Sequence, residues 1–204
     1  MIRLMQLYPD HLNLNGDGAN ILVLERRIAW GGLHSQTEVV QPGQVPSQRP
    51  DILLIGHGST AAWRQIYSDF ARLAPVIRDW MHQGTQVLAI SSGFAALHGL
   101  IAELPTSIER VERQSKFVVA EFEGNDVTGY LNSDLKLEVV ARYGNLIGTL
   151  LHGPILAKNS WLADALIEAA MHGEQRDEIN AGKFDEIEKL AVAARELAQE
   201  QAKD

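Results

Sequence analysis

The sequence contains no cysteine. That excludes disulfides, thiolate metal ligands and a thiol nucleophile, and a cytoplasmic location is the expectation. It has no basic run either. The longest basic cluster is Arg26-Arg27, and the formal net charge is −8. A nucleic-acid partner would usually call for a basic patch, so none is expected. No apolar run reaches 18 residues, so no membrane span is expected. The first residues, MIRLMQLYPD, lack a basic leader followed by an apolar core, and export is not expected. The histidines show no H-x-x-x-H ligand spacing. No metal and no cofactor are predicted.

What is present suits one compact domain: 204 residues, 46% of them hydrophobic, enough for a sizeable core. The first half alternates strand and helix signals. Arg3–Tyr8 reads as a strand, followed by a loop through Asn13–Asp17. Asp17 is a plausible N-cap for a helix over Ala19–Ile28, which ends at Gly31-Gly32. Glu38–Val40 reads as an edge strand, and residues 41–50 (QPGQVPSQRP) as a surface loop. Asp51–Ile55 is an apolar strand capped by Gly56-His57-Gly58. Ala61–Gln83 reads as a helix interrupted near Pro75. Gln86–Ile90 is a buried strand, and Phe94–Glu103 a helix. Continuous apolar strands separated by helices imply a parallel sheet covered on both faces. Ligands of such sheets sit at the carboxyl ends of the strands, which places a site between Gly56–Gly58 and Ser91–Gly93.

The second half reads as shorter strands at Phe117–Phe122, Tyr130–Leu131 and Leu137–Val140. A buried strand follows over Leu146–Leu151, ending at His152, and Ser160 caps a helix through Met171. Residues 173–204 form a separate segment. From Glu174 onward, nine acids stand against five bases, half the chain's net charge. Phe184, Ile187, Leu190, Ala191, Ala194 and Ala198 recur at helical spacing, so an appended acidic amphipathic helix is expected.

The stretch LAISSGF (88–94) carries the chemistry. Ala89-x-Ser91-x-Gly93 is close to a nucleophile elbow, a strand that turns sharply into a helix with its serine exposed at the bend. The Ser92 N–H, and the Gly58 N–H opposite, are placed to hold an oxyanion. The same pattern also fits a tight strand–helix turn with no catalysis. His152, before Gly153-Pro154, is positioned as a base for Ser91, or else as a half-buried structural histidine. The order Ser91, Asp126, His152 matches that of α/β-hydrolase triads, so a serine hydrolase is one reading.

Two longer stretches add a resemblance. LYPDHLNLNGDGANILVLERR (7–27) and YGNLIGTLLHGPILAKNSWLADALI (143–167) resemble the GatD-like subunits of the cobyric-acid-synthase-like class I glutamine amidotransferases. The likeness spans residues 1–172. It implies an α/β, flavodoxin-like three-layer sandwich with a mostly parallel central sheet. It also implies hydrolysis of glutamine to ammonia, for amidation of lipid II by a Mur-ligase-like (MurT-like) partner. The family elbow reads like I-C-G-G-Y-Q, so Ser91 stands in the place of the nucleophilic cysteine and Ala95 in that of the glutamine. His57 is inserted among the glycines of the oxyanion strand end. Thr128 stands where the resemblance expects the arginine that grips the substrate. His152 matches the family histidine. Several departures in one site imply a degenerate subunit that binds or regulates its partner. An active glutaminase is the alternative.

Overall fold

The computed structural model describes residues 1–101, 104, 107–171, 189–193, 196, 197 and 200. Six strands build the main sheet: β1 (Ile2–Leu7), β2 (Ser35–Val40), β3 (Ile52–Ile55), β4 (Gln86–Ile90), β8 (Leu146–Thr149) and β7 (Val140–Tyr143). Their order is β2-β1-β3-β4-β8-β7, parallel except for the β7 edge. Strands β3 and β4 are buried at every residue, as their unbroken apolar sequences require of a sheet covered on both faces. Helix α1 (Ala19–Trp30) packs against α5 (Ser160–Ala170). Helix α2 (Thr60–His82) connects β3 to β4 in the opposite direction to the β1-α1-β2 crossover, so right-handed connections put it on the other face. The architecture is a three-layer α/β sandwich with a mostly parallel central sheet.

A second sheet of three antiparallel strands, β5 (Arg110–Phe122), β6 (Asn125–Leu135) and β9 (Leu151–His152), stands beside the first. The short strands expected at Phe117–Phe122 and Tyr130–Leu131 are parts of a long hairpin, turning at Glu123-Gly124, both at positive φ, while the one expected at Leu137–Val140 is displaced to β7 of the main sheet. The expected strand over Leu146–Leu151 breaks at Leu150. The Thr149 hydroxyl donates to the Val139 carbonyl and accepts from the Leu151 N–H, so the chain bends into the second sheet. His152 therefore belongs to β9 and lies opposite Tyr130.

Other expectations shift for local reasons. Helix α2 runs through Pro75 without a break, because the ring sits on the exposed side, where water can satisfy the carbonyl it displaces. Helix α3 (Ser92–Leu97) stops short of the expected Glu103; His98 turns to extended backbone and Gly99 takes φ +77°. Helix α1 is capped at Gly18 rather than by Asp17, and Ser160 opens α5 behind an Asn159 cap. Of the C-terminal segment, 189–193, 196, 197 and 200 are helical, with Leu190 and Leu197 exposed. Phe184, Ile187, Ala194 and Ala198 lie outside the described residues. Among the described residues no helix is long and apolar enough to cross a membrane.

Two asparagines from the resembling stretches act as clamps. Asn20 accepts from the Leu156 N–H and donates to the Asp17 carbonyl. Asn159 accepts from the Thr128 N–H and donates to its carbonyl, tying the second sheet to the turn before α5.

Candidate functional site

The loops after β1, β3 and β4 meet at the carboxyl ends of the strands, and β6 and β9 close the side. A cavity of about 470 Å³ opens there, lined by Ser91, Ser92, Gly58 and His152 among others. Its volume falls in the range of small-molecule sites.

Ser91 sits at a true elbow. Its φ of 48° and ψ of −106° are far from any regular conformation, a strain worth about 1–3 kcal/mol in a non-glycine residue. The bend is held by the Ser91 N–H to the Thr149 carbonyl and by the Ala95 N–H to the Ser91 carbonyl. Gly93 is obligatory behind it, since a Cβ there would lie 2.5 Å from the Gly56 carbonyl oxygen. The Ser91 side chain is buried against the cavity, and no described group hydrogen-bonds its hydroxyl.

The two N–H groups expected to hold an oxyanion are both occupied. The Gly58 N–H donates to the Ser92 hydroxyl at 2.9 Å. That hydroxyl also accepts from Trp63 Nε1 at 2.7 Å and donates back to the Gly58 carbonyl. It is saturated and fixed. The Ser92 N–H points at His57 Nδ1, 3.3 Å away. His57, inserted among the glycines that the resemblance expects, and Ser92 each place a side-chain atom on an N–H that the sequence reading offers to an oxyanion.

His152 is engaged at both ring nitrogens. Nε2 donates to the Asn132 carbonyl at 3.0 Å, and Nδ1 accepts from Asn15 Nδ2 at 2.6 Å. The one ring lone pair, on Nδ1, is thus taken by Asn15. The His57 ring meets the His152 ring edge-on, 4.6 Å between centroids. Burial pushes both imidazoles below the ordinary value, helped by the Arg113 charge, and His57 falls to about 4. Both are neutral at pH 7. Asp126 does not line the cavity and does not touch His152; it lies on the exposed β6 hairpin, where its carbonyl receives Trp161 Nε1. The hydrolase triad is not assembled. Thr128 is buried on β6 under Asn159, and it too is absent from the cavity lining.

Sequence reasoning missed Asn15, Asn132, Arg110 and Arg113, which line the cavity. Asn15 had a signal, since it lies within the first resembling stretch. The arginines had none, because β5 begins seven residues before the strand that the sequence suggests.

Asp17 lies beneath the site, fully buried. One carboxylate oxygen accepts from the His57 N–H at 2.8 Å; the other has no partner. Burial raises its pKa from 3.8 to about 6. Below pH 3.8 the folded and unfolded states both hold the proton, and nothing is lost. As pH rises through 3.8 to 6, the unfolded chain ionises first, so stability falls by a total of about 3 kcal/mol. His57 has the opposite sign. Its lowered pKa costs stability as pH falls from 6.5 towards 4, so the two groups offset each other across that window. Asp17→Asn keeps the acceptor for the His57 N–H and removes the charge, at the cost of a buried amide N–H₂. It is expected to stabilise the protein by about 1–2 kcal/mol at pH 7 and by little near pH 4. Urea midpoints of both proteins across this range check it; a gain independent of pH would exclude the buried charge as the cause.

No protein-family profile matches the chain. Among curated proteins it is similar to the GatD subunit of lipid II isoglutaminyl synthase (glutamine-hydrolyzing) from Staphylococcus aureus. The two are 26% identical over an alignment covering 79% of this chain and 81% of that one. The corresponding subunit from Streptococcus pneumoniae is 22% identical, with coverages of 94% and 89%. Among solved structures, PurLQS from Thermotoga maritima superimposes with a TM-score of 0.56 at 14% identity, covering 84% of this chain and 99% of that chain. A glutamine amidotransferase from the same organism gives 0.51 at 13% identity, covering 100% and 99%. The chain thus has the class I glutamine amidotransferase fold and is similar in sequence to GatD subunits of lipid II isoglutaminyl synthases.

Proposed function

We propose that this chain is a GatD-like subunit with a silent glutaminase centre, a cytoplasmic protein that binds or regulates a Mur-ligase-like partner in the amidation of lipid II. The observation that carries the proposal is the state of the oxyanion donors: His57 and Ser92 hold the Ser92 and Gly58 N–H groups. Removing one such donor from a working enzyme costs about 10²–10³ in rate, and here both are taken. Ser91 adds a second defect, because a serine hydroxyl needs a base to ionise it and His152 has no free lone pair towards it. The alternative, an active glutaminase, is favoured by one feature, the intact strained elbow at Ser91. That elbow also follows from the fold alone, since Gly93 and the Thr149 contact impose it.

Docking needs the surface rather than the chemistry. The clamps at Asn20 and Asn159 hold the loops of the strand-end face in place, and they sit in the stretches that resemble GatD. Loop Asn13–Asn20 is the contact region on this reading; the turn at Gly124–Asp126 does not join it, because it lies at the far end of β6 from the cavity-lining Asn132–Leu135, beside Arg142 of β7. The complex is expected to bury a standard interface of about 1,600 Å² in total. Co-purification from the native host, and gel filtration of the mixed proteins at micromolar concentration, test it. A stable 1:1 complex is expected. If the protein elutes alone under both conditions, the docking role is wrong.

A further inference from the structure

The hairpin of β5 and β6 leaves one long strand edge open. Strand β5 is the outer strand of its sheet, in the order β5-β6-β9, and its pairing with β6 is regular from Gln114 to Phe122. Thr128, opposite Val119, turns both its N–H and its carbonyl to the Asn159 side chain, away from β5. Val119 is therefore in a non-hydrogen-bonded pair and turns its own N–H and carbonyl outward. The period of two extends this to Ser115, Phe117 and Glu121. Among the described residues, no hydrogen bond reaches the backbone groups of these four. Their side chains share the face that carries Tyr130, opposite Phe117. Val119 is 47% exposed and Tyr130 44%, which makes an apolar strip beside the bare edge. Such an edge is a template for another strand unless charge or a bulge blunts it. The charges on β5 are mixed, three cations against two acids, although the whole chain is at −8. Two of them lack a close counter-charge. Arg113 donates to Asn132 Oδ1, and its nearest carboxylate, Asp134, is 3.9 Å away and taken by Arg110. Glu121 is exposed, with no ion-pair partner among the described residues.

We propose that β5 pairs antiparallel with β5 of a second copy of this chain, about a two-fold axis at Phe117, so that the two small sheets become one. With that centre Ser115 faces Val119, and Arg113 of each copy faces Glu121 of the other. The Arg113 and Ser115 side chains both reach Asn132 Oδ1, so Arg113 stands on the face that Glu121 shares. The two charges left open on one copy thus close on the other, twice. The Phe117–Tyr130 pair of each copy joins its mate in a row of four aromatic rings across the seam, a cross-strand contact of the kind that stabilises sheets. A centre at Lys116 would instead set Lys116 against itself, and like charges directly opposite destabilise. Because Arg113 lines the strand-end cavity, Glu121 of the second copy becomes part of its rim. The paired residues do not include the Asn13–Asn20 loop, and the inference does not rest on the silent centre. One strand pair is a small interface, in the weak class below about 1,200 Å². Pairing is therefore expected in the upper micromolar range, above the concentration of the co-elution test.

The test is sedimentation equilibrium of the full chain from micromolar to near-millimolar concentration, where a monomer–dimer equilibrium is expected. Arg113→Glu and Glu121→Arg should each weaken it about tenfold or more, because each sets two like-charge pairs across the seam. An equimolar mixture of the two variants should dimerise as well as the unaltered chain, since every facing pair is again opposite in sign. That recovery also shows that both variants fold. Amide hydrogen exchange identifies the edge. The N–H groups of Ser115, Phe117, Val119 and Glu121 should gain protection as concentration rises, while those of Lys116 and Val118, already bonded to β6, should change little. A monomer at every concentration, a dimer without that protection, or a mixture as weak as its parts would each overturn the proposal. So would protection that appears only with the Mur-ligase-like partner present, which would give the β5 edge to that partner.

Discussion

Replacing Ser91 by cysteine is expected to leave glutamine hydrolysis at background. The change supplies the better nucleophile, since a free thiol is a few per cent thiolate at neutral pH and a serine hydroxyl is not ionised. It does not open the site. The tetrahedral oxyanion would still need the Gly58 N–H, which the Ser92 hydroxyl holds, and the Ser92 N–H, which faces His57. His152 would still be tied to Asn15 and Asn132. Changing Ser91→Cys, His57→Gly and Ser92→Gly together frees both donors and removes the ring that meets His152 edge-on. That triple variant should exceed the single one by about a hundredfold or more, the worth of one oxyanion donor. The gain should exceed the product of the separate changes, because the three act on one bound substrate. Ammonia release at saturating glutamine measures it, with circular dichroism to confirm folding. Robust turnover by Ser91→Cys alone would mean that the donors are available after all.

A loss of about 3 kcal/mol in stability is expected for Asp164→Ala. Asp164 on α5 receives a bidentate pair from Arg27 on α1, Nε at 2.8 Å and Nη2 at 2.5 Å. Arg27 is 4% exposed and Asp164 31%. Removing the carboxylate takes a bidentate counter-charge from a buried guanidinium, which is the costly way to break such a pair; the partial exposure of Asp164 sets the loss at the lower end of the usual 3–5 kcal/mol. Arg27→Met should cost less, because it removes the buried charge and keeps most of the apolar contact. Urea denaturation at pH 7 separates the two variants. A loss below about 1 kcal/mol for Asp164→Ala would put the pair in the class of surface ion pairs.

The parallel core was legible because burial on both faces leaves unbroken apolar runs. The sequence reading of β4 as Gln86–Ile90 coincides with the strand, and β3 differs by one residue. The hairpin was not legible. Residues 110–116 of β5 are exposed on both sides, so neither period-2 alternation nor an apolar run marks them. The break at Leu150 depends on the Thr149 hydroxyl finding the Val139 carbonyl, a contact between strands that no local pattern encodes. In the site, the elbow at Ser91 follows from spacing, and the structure brings Ser91, Ser92, Gly58 and His152 to one cavity. Thr128 does not join them. That His57 and Ser92 would occupy the oxyanion donors was out of reach, because each of those contacts joins segments more than 30 residues apart. The resemblance marks His57 as inserted among glycines, and the elbow pattern offers Ser92 only as a donor; the fold shows where their side chains go.

The most direct measurement is ammonia release from glutamine by the unaltered protein, alone and mixed with the Mur-ligase-like partner, beside the Ser91→Ala variant. A silent centre predicts background release in every case, with partner and without. Release by the unaltered protein that disappears in Ser91→Ala would contradict it, and would make this chain a working serine-dependent glutaminase.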